Sequence, residues 1–278
     1  MQIIQKFKDK KNGYILYSIV MFFLFLHFSP EIGFDVDPQS SRLVSRVIVV
    51  FLITLLGSYL TQYSSLLKSK GKYRGLIISL LPMSLSLGTF LSLYHFPNFS
   101  LVFRLFSLVI VSGLYYLISL VNNILLVVDE REEVFPLYRV AVTWSQIILV
   151  IISIPVYVGV YEFDQGPLYQ SFLASLVTFV FAFYYLWSLS FDRRVRKIGN
   201  TEKIINSLFC VFLVFLGGIS VSFIPTEAFL RGIFSSAILL FGLNYIDSYM
   251  KNRLNKSFLY IYGAIILVFL IILLIFRP

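Results

Sequence analysis

Apolar residues run along the chain in nine blocks separated by short polar, charged or Pro/Gly-containing breaks: 13–28, 43–62, 75–94, 101–126, 140–160, 171–191, 205–224, 229–249 and 258–276. A run of roughly 18 or more apolar residues is long enough, as a helix, to cross a hydrocarbon layer of about 30 Å. The pattern predicts an all-α polytopic transmembrane bundle of about nine spans, built as a single integral membrane domain over residues 1–278. The first block is short for a full crossing and reaches that length through its flanks or through local thinning of the bilayer. It follows the basic start "KFKDKK", as the apolar core of a signal peptide does, but the next stretch, "SPEIGFDVD", offers no small-x-small cleavage site. It is therefore read as a retained signal anchor.

Composition agrees with the pattern. Of 278 residues, 58% are hydrophobic and 13% charged, more apolar surface than a soluble core absorbs. The net charge of +9 is informative through its placement, and no signature for nucleic-acid binding accompanies it. All but five of the 23 Lys and Arg fall before span 1 or in alternate breaks, the exceptions being Arg42, Arg46, Arg104, Arg231 and Arg277. The positive-inside rule then predicts a cytoplasmic N-terminus and an external C-terminus. No break exceeds residues 29–42, which leaves no room for a soluble catalytic domain. The single cysteine, Cys210, lies inside an apolar block and reads as a small packing residue.

Two of the external arginines share a setting. "FPNFSLVFRLFSLVIVSGLYYLI" and "IPTEAFLRGIFSSAILLFGLNYID" both carry a Pro in the outer turn, an Arg six or seven residues on (Arg104, Arg231) and a "GL-x-Y" segment deeper in the helix. Spans 3 and 4 thus recur as spans 7 and 8, in parallel, because four crossings separate them; such repeats occur in transporter folds. An arginine near an interface snorkels to phosphate or water, so anchoring is the first expectation for both. Arg46 follows Pro38 in a looser version of the arrangement.

On span 4 a rotation of about 100° per residue brings Arg104, Tyr115 and Asn122 together, with Ser112 and Ser119 beside them. Span 5 has a similar line in Thr143, Gln146, Ser153 and Tyr157. Such stripes face other helices, as hydrogen-bonding partners or as the lining of a polar site between spans 4, 5 and 8. Arg46, Arg104, Arg231, Ser112, Tyr115, Asn122 and Gln146 are accordingly the candidate ligand-binding residues. Pro82 and Pro155 each remove a backbone donor inside a span and predict kinks. Asp247 stands one turn before Lys251 and is expected to pair with it.

Catalytic chemistry finds little support. No nucleophile elbow, P-loop, kinase set or zincin motif is present, so no catalytic residue, metal or other cofactor is assigned. His27, Glu31, Asp35, Asp37 and His95 all fall on the predicted external side, but match no zinc signature. The break between spans 4 and 5 holds Asp129, Glu130, Glu132 and Glu133 on an otherwise basic face, and with Pro136 and Arg139 it forms a candidate docking surface for a partner protein, Asp129 to Arg139. Membrane lipids are the other expected partner.

The stretch "GLYYLISLVNNILLVVDEREEVFPLYRVAVTW", Gly113 to Trp144, preceded by Pro97 and Arg104, resembles the central pattern of an uncharacterised family of small multi-pass membrane proteins from candidate-phyla bacteria. In that pattern a "Y-x-L-x-L-x-x-N-I" run closes one helix and "P-L-x-R-A-A" opens the next; here they read "YYLISLVNNI" and "FPLYRVAV", with Val140 at an alanine position. The resemblance implies a multi-pass topology and a bacterial inner membrane. Function is then expected to be that of a non-catalytic structural or accessory component binding a partner or lipid. A small-molecule carrier, or an enzyme acting on a lipid-linked anionic substrate at the external face, are the alternatives.

Overall fold

A computed structural model describes residues 2–28, 41–68, 73–96, 100–131, 136–192, 195 and 198–275, with side chains over the same residues except 2–10, 41–45, 131 and 258. The described residues form nine helices and no strands: α1 (Gln2–His27), α2 (Ser41–Leu66), α3 (Arg74–His95), α4 (Leu101–Arg131), α5 (Pro136–Tyr161), α6 (Pro167–Leu189), α7 (Asn200–Ser222), α8 (Ala228–Met250) and α9 (Lys256–Ile275). Each coincides with one apolar block. Several run past it, most of all α1 at its start and α4 at its end, because charged first and last turns continue a helix outside the hydrocarbon.

Helices α2 to α8 are each long and apolar enough to cross a membrane, while Lys11–His27 and Leu259–Ile275 are shorter apolar helices of about 25 Å. The distribution of side chains is the reverse of a soluble protein's. Val102 and Leu60 are 78% and 69% exposed, whereas Tyr115, Ser86 and Thr54 are fully buried. Apolar residues outside and hydroxyls inside suit lipid as the solvent. The chain is a polytopic helical membrane protein.

Local sequence sets the helix ends. Pro136 and Pro167 begin α5 and α6, where the proline's missing N–H has no intrahelical role. Helix α8 ends in a Schellman motif: Asn252 takes φ 53°, its N–H reaches Tyr249 O at 3.1 Å and that of Arg253 reaches Ser248 O at 2.8 Å. Asparagine adopts this left-handed conformation more readily than most residues.

The chain divides into two compact units, Met1–Glu133 and Val134–Pro278. In the first, α1 packs along α4 and α2 along α3, with further packing of α2 on α4, α1 on α2 and α3 on α4. In the second, α5 packs along α8 and α6 along α7, with α6 on α8, α5 on α6 and α7 on α8, and α9 added against α8. The same five pairings therefore recur when α1–α4 are matched with α5–α8. The sequence correspondence extends upstream into α3 and α7, where Leu87-Gly88 lies ahead of Pro97 much as Leu216-Gly217 lies ahead of Pro225. The spans 3–4 and 7–8 for which the sequence predicts a repeat are the second pair of helices in each of these two sets of four.

In the second unit the α5–α8 contact is very close. A Cβ on Gly232 would stand 2.9 Å from Val158 N, so only glycine lets the two backbones approach this far. Gly263 of α9 has nothing within 4 Å of its Cβ direction. Gly232→Ala is expected to cost about 1–3 kcal/mol by overpacking. In a thermal unfolding assay in detergent, Gly232→Ala should melt clearly below wild type while Gly263→Ala does not.

Candidate functional site

Helix α4 is the hub of the first unit. Its 31 residues span about 46 Å, and the predicted polar face of Arg104, Tyr115 and Asn122 is buried along its whole length, at 3%, 0% and 2% exposure. Each neighbouring helix bonds to it. Ser112 Oγ donates to Ser18 O of α1 at 2.8 Å. Tyr115 Oη lies 2.6 Å from Ser86 Oγ of α3, which lies 2.7 Å from Thr54 Oγ1 of α2. From α2, Gln62 Nε2 donates to Ser119 O at 2.7 Å and Ser65 Oγ to Asn123 Oδ1 at 3.3 Å. Tyr17 of α1 completes the set, its hydroxyl donating to Thr54 O at 3.1 Å and lying 3.3 Å from Ser58 Oγ.

The role of Asn122 follows from Pro82. Without an N–H, Pro82 leaves the carbonyl of Ile78, one turn earlier in α3, without its intrahelical donor. Asn122 Nδ2 donates to that oxygen at 2.9 Å. The carbonyl of Pro82 itself accepts from Ser86 Oγ at 3.1 Å and from Tyr115 Oη at 3.5 Å. Two of the candidate ligand-binding residues, Tyr115 and Asn122, thus brace the proline-broken turn of α3.

At the predicted cytoplasmic end, Arg74 of α3 forms an ion pair with Asp129 of α4, and Lys68 lies 3.5 Å from Glu130. Two of the four acids in the candidate docking segment are therefore engaged within the unit. Glu132 and Glu133 lie outside the described residues, and Arg139 is exposed. Arg104 differs from its expectation: it is turned into the protein rather than snorkelling outward, because its face of α4 is the one that meets the other helices. Arg46 is half-buried.

In the second unit the α5 stripe does not stay on one face. Thr143 is exposed and donates to Arg139 O at 3.0 Å, Gln146 is half-buried, and Ser153 and Tyr157 are buried. Ser153 Oγ donates to Ser236 Oγ of α8 at 2.9 Å, and Tyr157 Oη lies 2.7 Å from Thr178 Oγ1 of α6. Arg231 donates from Nε to Thr226 Oγ1 at 3.3 Å and from Nη2 to Ile224 O at 3.2 Å, tying the loop before α8 to its first turn. Asp247 and Lys251 make the predicted pair at 2.6 Å, and Tyr185 Oη also donates to Asp247 Oδ1 at 3.3 Å. Cys210 is buried against Gly242, as a packing residue would be.

Of the residues considered for a metal, His27 is exposed and His95 half-buried, while Glu31, Asp35 and Asp37 lie outside the described residues. Among the described residues no three His, Cys, Asp or Glu come together. Sequence reasoning missed Gln62, whose amide reaches α4, and Gln170, whose Nε2 donates to Tyr161 O at 3.1 Å and Phe163 O at 2.7 Å. Both were detectable as amides in apolar surroundings. Comparison of the chain with protein-family models, curated proteins and solved structures gave no match.

Two outcomes test these assignments. Asn122→Leu is expected to destabilise by about 1–2 kcal/mol, and by less in a Pro82→Ala background, where residue 82 regains the N–H that bonds Ile78 O; a double-mutant cycle of unfolding midpoints measures the coupling. Arg104→Lys should lower the yield of monodisperse protein, because an ammonium cannot reproduce a buried guanidinium's planar array of donors. Arg46→Lys, at a half-buried position, should leave the size-exclusion profile unchanged.

Proposed function

We propose that the protein is a non-catalytic accessory component of a bacterial cytoplasmic membrane, with its N-terminus inside, that holds a lipid or a partner protein on its helices. The observation that carries this reading is the use of polar groups along α4. Ser112, Tyr115, Asn122 and Asp129 are bonded to α1 and α3 within the unit. Polar side chains spent in this way hold helices in place, which is what a scaffold requires. The clustering of Lys and Arg in alternate breaks supports the orientation, and the resemblance of Gly113 to Trp144 supports the bacterial setting. A partner protein would meet the predicted cytoplasmic face around Asp129 to Arg139.

A second reading is favoured by one specific feature. The recurrence of the five helix pairings in α1–α4 and α5–α8 is the kind of internal duplication on which many carriers are built. As a carrier, the protein would expose candidate polar residues to water, among them Ser112 and Asn122 of the first unit and, separately, Gln146 of the second.

Water access separates the two. In a Cys210→Ala background, single cysteines at 112, 122 and 146 would be challenged in native membranes with a membrane-impermeant maleimide. The accessory reading expects all three to stay unlabelled until the protein is denatured. Labelling of 112 and 122 in the folded protein would sink it in favour of the carrier.

A further inference from the structure

Gln146 of α5 is the exception among the amides of the apolar helices. Gln62, Asn122, Asn123, Gln170, Asn206 and Asn244 each make a side-chain hydrogen bond. Gln146 is half-buried and makes none among the described residues. It stands about 15 Å along a helix of about 39 Å, close to the middle of the span. An amide at that depth has no water to turn to, and leaving it without a partner is costly.

The neighbouring helix does not supply the partner. Counted from Val158 opposite Gly232, twelve residues back along α5 and twelve on along α8, the residue level with Gln146 is Asn244. Asn244 Nδ2 turns instead to Leu240 O of its own helix, at 2.8 Å. On its other side Gln146 borders the outward face of α5, where Val140, Thr143, Trp144, Ile147 and Ile151 are exposed. The amide therefore lies at the edge of a helix face that another helix can reach.

We propose that this face of α5 meets a second copy of the chain in a two-fold dimer, in which the two Gln146 amides bond each other inside the membrane. Copies inserted in one orientation and related by an axis along the membrane normal place Gln146 opposite Gln146 at the same depth. A carboxamide is electrostatically complementary to itself, because its C=O accepts from the NH2 of the second amide while its own NH2 donates in return. Arg139, exposed one heptad before Gln146, follows Glu132 and Glu133 in the sequence, so the ends of two such helices bring together both signs of charge. Apolar side chains do not choose between lipid and a helix, whereas an amide that finds its complement does. The dimer goes beyond the accessory and carrier readings, and both accommodate it.

The test measures self-association of the full-length protein in phosphatidylcholine vesicles, by energy transfer between donor-labelled and acceptor-labelled copies as added lipid dilutes them. Wild type should associate saturably, and Gln146→Leu should need roughly tenfold more protein per lipid to reach the same dimer fraction. The leucine variant should unfold no earlier than wild type in dilute detergent, which separates lost pairing from lost folding. Cross-linking locates the contact. In a Cys210→Ala background, Ile147→Cys should form disulfide-linked dimers on mild oxidation of native membranes, and Leu267→Cys, on the exposed side of α9, should not. Where Gln146→Leu does not fold, this pair decides alone. A wild type that stays monomeric at every dilution, equal association of wild type and Gln146→Leu, or cross-linking at 267 as strong as at 147 overturns the dimer. Maleimide access at 112 and 122 tests the accessory reading separately, so failure of one is distinguishable from failure of the other.

Discussion

Inside a bilayer there is no water to complete a backbone hydrogen bond, and the contact of Asn122 with Ile78 shows how the first unit meets that constraint. Pro82 removes one donor from α3; an amide from α4 replaces it at 2.9 Å. For that amide to arrive, α4 must lie beside α3 at the right depth and rotation. The same rotation turns Arg104 and Tyr115 inward and leaves Val102 and Phe106 outward. One missing N–H is thus coupled to the orientation of a 31-residue helix. The ion pair of Arg74 with Asp129 secures the same two helices at one end.

The two units answer the constraint with different chemistry on the same pairing of helices. The first uses amides, hydroxyls and an ion pair converging on α4. The second relies more on hydroxyl pairs between α5, α6 and α8, together with close glycine contacts at Gly218, Gly232 and Gly242. Packing geometry can persist through duplication while the bonds that secure it change, since any partner that satisfies a buried group serves equally well. Helix α3 accordingly has a proline-dependent brace, while α7, which pairs in the same way, has no internal proline.

The candidate residues were legible to different depths. Angular position on α4 follows from the helical repeat, so the joint burial of Arg104, Tyr115 and Asn122 was accessible to counting. What each one touches was not: Asn122 answers to Pro82, a residue 40 positions away, and Tyr115 to Ser86. On α5 the counting misled, because Thr143 and Tyr157 are two heptads apart and the drift between them, about 20° per heptad, carries Thr143 to the surface. The shared proline, arginine and "GL-x-Y" marks are confined to spans 3–4 and 7–8, whereas the common pairing of all four helices in each unit is visible only in the structure.

The sequence by itself determined that this is a helical membrane protein and where the helices of the described residues lie along the chain. Apolar run length and hydrocarbon thickness are both one-dimensional quantities, so they can be compared without knowing any neighbour. Only the tertiary structure decided which polar faces meet, that Arg104 is buried while Thr143 is exposed, that α4 is the hub of the first unit, and that Tyr161 of α5 pairs with Ser235 of α8 in the second. Those outcomes depend on lateral neighbours. Lipid tails and apolar side chains are nearly equivalent to a helix, so hydrophobicity alone does not choose between them; hydrogen bonds and close backbone approach do.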